Sequence, residues 1–165
     1  MEETLYEYES CDTMKLSEAL IKRADLQKRF NELKNRIMNN VQVQEGSTPS
    51  EDPEELIKEA ISVLNELQWF IQKINKTNSL THMSNGSTIT DSIANRDKLK
   101  LQHELYSSIA SSATITPRFS RSEIKATSAI DVNKYRKHAD IIAKEFRTLD
   151  TEIQTINWNT ELVES

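Results

Sequence analysis

Between Pro53 and Asn78 the residues Leu56, Ala60, Val63, Leu67, Phe70 and Ile74 follow one another at alternating steps of four and three. That spacing lays them along one side of an α-helix as a continuous apolar seam. Ile57, Ile61, Leu64 and Ile71 run beside it, making the face wide enough to contact two neighbouring helices. Such a helix is marginal alone in water and needs partners to bury that face.

Three further stretches supply them. A helix from Lys15 to about Asn40 sets Leu16, Leu20, Ala24, Phe30, Leu33, Ile37 and Val41 on or near one face. Leu16, Arg23, Phe30 and Ile37 are heptad equivalents there, so Arg23 falls inside the apolar stripe. A third helix, roughly Asp91 to Ala113, is capped by Thr88 or Thr90 and shows Ile93, Leu101, Leu105 and Ile109. Its missing step is Asp97, with Arg96 before it. A fourth helix, capped by Asp131, carries Val132, Tyr135, Ala139, Ile142, Phe146, Leu149, Ile153 and Ile156 and ends near Trp158.

The connections are dense in turn formers. Gln44 to Pro53 is a loop in which Ser50 or Asp52 caps the second helix, and His82 to Gly86 closes that helix. Thr114 to Ile130, broken by Pro117, reads as a short extended segment before the last helix, or as a helical turn. The expected fold is all-α: four long antiparallel helices, as a bundle or as paired helical hairpins with coiled-coil-like packing. The wide seams predict apolar surface shared between subunits, and hence a homo-oligomer.

Composition agrees, since two glycines and three prolines in 165 residues leave room for long helices. The net charge of −5 is unevenly placed. Glu2, Glu3, Glu7, Glu9 and Asp12 precede the first lysine, and the remaining chain is formally neutral, unlike a general DNA binder. Residues 1–13 read as an acidic disordered leader and 14–165 as a single helical domain, with Met14 an equally good biological start. Cys11 has no partner for an internal disulfide and reads as an incidental free thiol. No apolar run reaches the roughly 20 residues that span a bilayer, and the N-terminus lacks signal-peptide character. A cytoplasmic location with no membrane association is expected. The sequons at Asn75 and Asn85 then read as chance matches.

Catalytic and metal motifs are sparse. His82, His103 and His138 are preceded three residues earlier by Ser79, Lys100 and Tyr135, not by the glutamates of di-iron bundles. There is no P-loop, Gly-x-Gly-x-x-Gly or Cys-x-x-Cys, and nothing singles out a nucleophile. No metal and no cofactor are expected. What stands out is charge where apolar residues belong: Arg23 with Asp25, Arg96 with Asp97, then Arg118, Arg121 and Glu123. Arginine forks suit bidentate phosphate contact, so these residues are candidates for a pocket binding an anion such as a nucleotide or an RNA end. The competing reading pairs Arg23 with Asp97 across the bundle, fixing register at some cost in stability. Phe119 suits stacking on a base or covering core, His103 reads as solvated, and Trp69 and Trp158 as packing or oligomer contacts.

Several blocks resemble a known family. They are Ala19 to Arg29, Val43 to Gly46 with Glu51 to Pro53, Ile74 to Asn78, Arg118 to Lys125, and Leu149 to Gln154 with Asn157-Trp158. Together they resemble septicolysin-like proteins, a group of small, mainly bacterial helical proteins, over roughly Met14 to Glu164. The resemblance implies a long-helical, self-associating architecture and supplies no catalytic residue. Three functions follow in order: a self-associating interaction scaffold without catalysis, a nucleotide- or nucleic-acid-binding module built on the arginines, and an enzyme with an unrecognised site.

Overall fold

The computed structural model describes residues 13–114 and 127–163. The expected leader lies outside them apart from Thr13, as does most of the expected extended segment. Four helices account for the architecture: α1 (Leu16–Asn40), α2 (Pro53–Leu80), α3 (Ile89–Ser112) and α4 (Val132–Asn159). Among the described residues there are no strands, only isolated bridges pairing Lys15 with Glu161 and His82 with Thr88. The fold is all-α, as the periodicity predicts.

Three of the four starts are fixed by a short polar side chain, and at the start of α1 the Glu18 carboxylate accepts from the Lys15 amide at 2.9 Å. The Asp52 carboxylate accepts from the Glu54 amide at 2.9 Å, Thr88 Oγ1 from the Asp91 amide at 3.1 Å, and Asp131 from the Lys134 amide at 3.1 Å. These satisfy amides that have no partner inside the helix. Gly46 and Gly86 sit at φ +83° and +84°, the left-handed turn positions that the two connections require.

The chain divides into two compact units, one holding the chain up to Asn78 with the segment from Asn157 onward, the other Ser79–Ile156. In the first unit α2 buries Leu56, Ala60, Val63, Leu67, Phe70 and Ile74, as its spacing predicts, and Thr77 extends the seam by one step. On α1 the buried set is Leu16, Ser17, Ala19, Leu26, Leu33, Ile37 and Asn40, with Arg23 and Phe30 half-buried between them. The expected Ala24 and Val41 are exposed instead. Counting the residues three after each heptad position gives Ala19, Leu26, Leu33 and Asn40, the second row of the stripe. Arg29 meets Glu59 at 2.7 Å and Arg36 Nε meets Glu51 at 3.0 Å. Partner numbers fall from α2 to the loop just before it as they rise on α1, so the helices run antiparallel.

The segment after α4 closes this unit. The Leu16 amide donates to the Thr160 carbonyl at 2.9 Å and the Leu162 amide to the Met14 carbonyl at 2.8 Å. The Val163 amide donates to Thr77 Oγ1 at 3.0 Å, and that hydroxyl donates to the Lys73 carbonyl at 2.8 Å. A threonine with no exposure is thereby satisfied on both sides.

In the second unit α4 presents its predicted seam, with Ala139, Ile142 and Ile153 buried. On α3 the seam differs from the expected one. It runs Ile89, Ser92, Arg96, Leu99, His103, Tyr106 and Ala110, all buried or half-buried, while Leu101 and Leu105 are 66% and 56% exposed. The expected row advanced in uniform steps of four through Asp97. Each such step turns about 400°, so the row precesses by about 40° per step and winds off the packed side. Met83, in the loop before α3, is buried and held by hydrogen bonds with Ser87 and Gly86 of 2.8 and 3.0 Å.

Two stability measurements follow. Ile74→Ala removes a side chain that is 1% exposed and is expected to cost about 2–5 kcal/mol in urea unfolding, whereas Leu101→Ala, at a 66% exposed position, changes little. The Glu51 carboxyl is held below its ordinary value of 4.5 by the hydrogen bond from Arg36. Its stabilising contribution is therefore present above that value and disappears as pH falls through the lower folded value. Glu51→Gln is expected to make the loss of stability on acidification shallower, read from urea midpoints between neutral and acid pH.

Candidate functional site

Arg23 belongs to the first unit, half-buried on the α1 seam between Ala19 and Leu26. Arg96 and Asp97 belong to α3 in the second unit. Arg118, Arg121 and Glu123 lie outside the described residues.

Arg96, not Asp97, occupies the packed side of α3. Its guanidinium donates to Asp97 at 2.9 Å and to Asp150 of α4 at 3.4 Å. The Asp97 side chain is 60% exposed. Asp97 therefore points off the seam, and its recorded ionic partner is its neighbour in sequence. Two carboxylates around one guanidinium also leave Arg96 locally overcompensated, which opposes the capture of a further anion. The α3–α4 crossing is thus tied by Arg96 and Asp150, a pair that sequence reasoning missed. The visible signal was heptad position: Arg96 lies seven residues after Ile89 and seven before His103.

Farther along the same helix pair the seam stays polar. The Tyr106 ring lies 5.9 Å from Tyr135 and 5.5 Å from His138, and Gln102 donates to the Tyr106 hydroxyl at 3.3 Å. His103, expected to be solvated, is half-buried, with Nε2 3.5 Å from Ser107 Oγ. Beside it is an open cavity of about 560 Å³ lined by His103, Ser107, Thr114, Arg136 and Asp140 among others. Arg136 donates to Thr114 Oγ1 at 3.1 Å, and Thr114 donates to the Ala110 carbonyl at 2.7 Å. The Thr114 hydroxyl is thus engaged in capping the end of α3. A serine and histidine at the limit of hydrogen-bond distance, both on one helix, form no assembled nucleophile.

Among the described residues no group of three histidine, cysteine or acidic side chains gathers as metal ligands do, and no helix is long and apolar enough to cross a membrane. The more extensive unusual feature is apolar. Ile57, Ile61 and Ile71 on α2 are 38%, 53% and 38% exposed, although the seam next to them is fully packed. Trp69 lies at 40% exposure, edge-on to Phe70 with ring centroids 4.9 Å apart, and Trp158 at 61%.

These features define a class: an all-α protein built from antiparallel helix pairs with heptad-spaced seams and apolar surface left on one of them. Residues 23–162 match a family described as "Family of unknown function (DUF6847)", and the chain belongs to that family. It is also similar to a functionally unknown conserved protein from Corynebacterium diphtheriae whose crystal structure has been solved. The two share 40% identity over 92% of this chain and 100% of that one, with a TM-score of 0.87. No curated protein matches the chain.

Because both partners of Arg96 are partly solvated, the network contributes modestly. Arg96→Leu is expected to shift stability by about 1 kcal/mol or less, while Leu99→Ala on the same seam costs about 2–5 kcal/mol. Guanidinium unfolding of the two variants makes the comparison.

Proposed function

We propose that this protein is a non-enzymatic helical interaction protein that self-associates through coiled-coil-like contacts and works as a scaffold in the cytoplasm. The observation that supports this reading best is the row of exposed isoleucines on α2 beside a complete seam. Exposed apolar side chains at helical spacing fit contact with another helix better than they fit water. The septicolysin-like resemblance enters the reading as architecture, long helices that associate, and not as lysis.

The alternative, a nucleotide- or nucleic-acid-binding module, finds partial support in Arg136 beside the α3–α4 cavity. Arg96 supports it less, since its guanidinium is shared between two carboxylates.

Native mass spectrometry of the full chain separates these readings. The expected result is one discrete oligomer without excess mass, persisting on dilution into the low micromolar range. A monomer that retains a reproducible extra mass would instead turn the assignment toward a ligand-binding role.

A further inference from the structure

The first unit is two-sided. On α1 and α2 alike, one flank of the packed seam is rich in charge and the other is poor in it. The charged flanks are joined: Arg29 on α1 meets Glu59 on α2 at 2.7 Å, and these residues hold equivalent heptad positions, each one before a seam residue (Phe30 and Ala60). In an antiparallel pair, contact between those positions places the opposite flanks of both helices together on the other side.

That other side is poor in charge. On α2 it comprises Glu54, Ile57, Ile61, Leu64, Gln68, Ile71 and Asn75, neutral beyond the first turn. On α1 it comprises Leu20, Ala24, Gln27, Asn31, Lys34 and Met38, with a single lysine. The charged flank of α2 by contrast carries Glu55, Glu59, Glu66, Lys73 and Lys76. In a chain with 28% charged residues, a solvated helix face has no reason to avoid them. Depletion of charge with retention of apolar residues and amides is the composition of an interface core.

We propose that this face binds a second copy of the chain in an antiparallel two-fold dimer centred on Leu64, packing α2 against α2 of the partner subunit. The inference rests on the self-association reading above and names its surface. The charge pattern selects the orientation. A parallel pairing sets Glu54 against Glu54 and Lys58 against Lys58. The antiparallel pairing sets them instead near Asn75 and Gln72, places Ile57 opposite Ile71, and brings Leu64 to the axis. The Arg29–Glu59 contact sets the same axis level with about Ala24 of α1, so Lys34 does not meet another lysine. Opposed helix dipoles favour the same choice. From Ile57 to Asn75 the face is about 27 Å long at 1.5 Å per residue. Two helices give it a width of about 20 Å, a footprint near the scale of a specific interface of about 800 Å² per partner.

The test uses full-length protein with Cys11→Ser, which removes the native cysteine. Sedimentation velocity is expected to show a dimer. Ile61→Glu, at an exposed position that leaves the seam intact, is expected to raise the dissociation constant roughly a hundredfold or more, with helical circular dichroism unchanged. Under mild oxidation Leu64→Cys is expected to cross-link to itself, and Glu66→Cys, on the charged flank, is not. Ile57→Cys and Ile71→Cys should each fail to cross-link alone and link when mixed. Self-linking of each alone would show a parallel pair and overturn the register. A discrete oligomer that ignores Ile61→Glu and gives no Leu64 cross-link would overturn this surface while leaving self-association standing. A monomer at all concentrations overturns both.

Discussion

Alternation of threes and fours in the packed rows is the constraint on which the rest of the structure depends. It keeps one side of each helix facing its neighbour along the whole length, so that α2 buries seven side chains in sequence without a gap. A helix pair held this way fixes which residues lie on the two flanks. The charged contacts from Arg29 to Glu59 and from Arg36 to Glu51, like the charge-poor opposite side, are consequences of that register. The seam sets the geometry, and the flanks are then free to differ in chemistry.

The two units use the constraint differently. The α2 row is apolar as far as Thr77, and the α1 row is mostly apolar around Arg23 and Asn40. On α3 the same positions hold Ser92, Arg96, His103 and Tyr106, and α4 answers with Tyr135, His138 and Asp150. Polar seams give up hydrophobic stabilisation, because each buried polar group only recovers what desolvation costs when it is hydrogen-bonded. They also restrict which side chains fit opposite one another. The second unit thus holds less stability per turn and more sequence-specific pairing.

Much of this was legible in the chain. The α2 and α4 seams could be read because nearly every position in them is apolar, and all four helix starts lie within a few residues of those expected. The α3 seam was obscured because leucines at 101 and 105 imitate a core row while the true row includes an arginine and a histidine. Hydropathy reports what a residue prefers, and here the packed positions were assigned by register against that preference. Thr77 was hidden for a related reason. Its burial depends on the Val163 amide, 86 residues away, and no local pattern encodes so distant a partner. Arg96 was legible as a charge within a helix, but its partner Asp150 was not, because spacing places residues on a helix face and does not assign their opposite neighbours.

The ladder that joins the start of α1 to the segment after α4 orders events in time. Lys15 and Glu161 are separated by 146 positions, so on a ribosome adding roughly 5–20 residues per second the first helix exists for on the order of ten seconds before its strap is made. During that interval its first turn lacks the Thr160 carbonyl and Thr77 lacks the Val163 amide. The first unit can collapse along its seam as a nascent chain, but it is fastened only after the helices of the second unit have been synthesised. Completion of the α1 start therefore waits on a segment translated well after it.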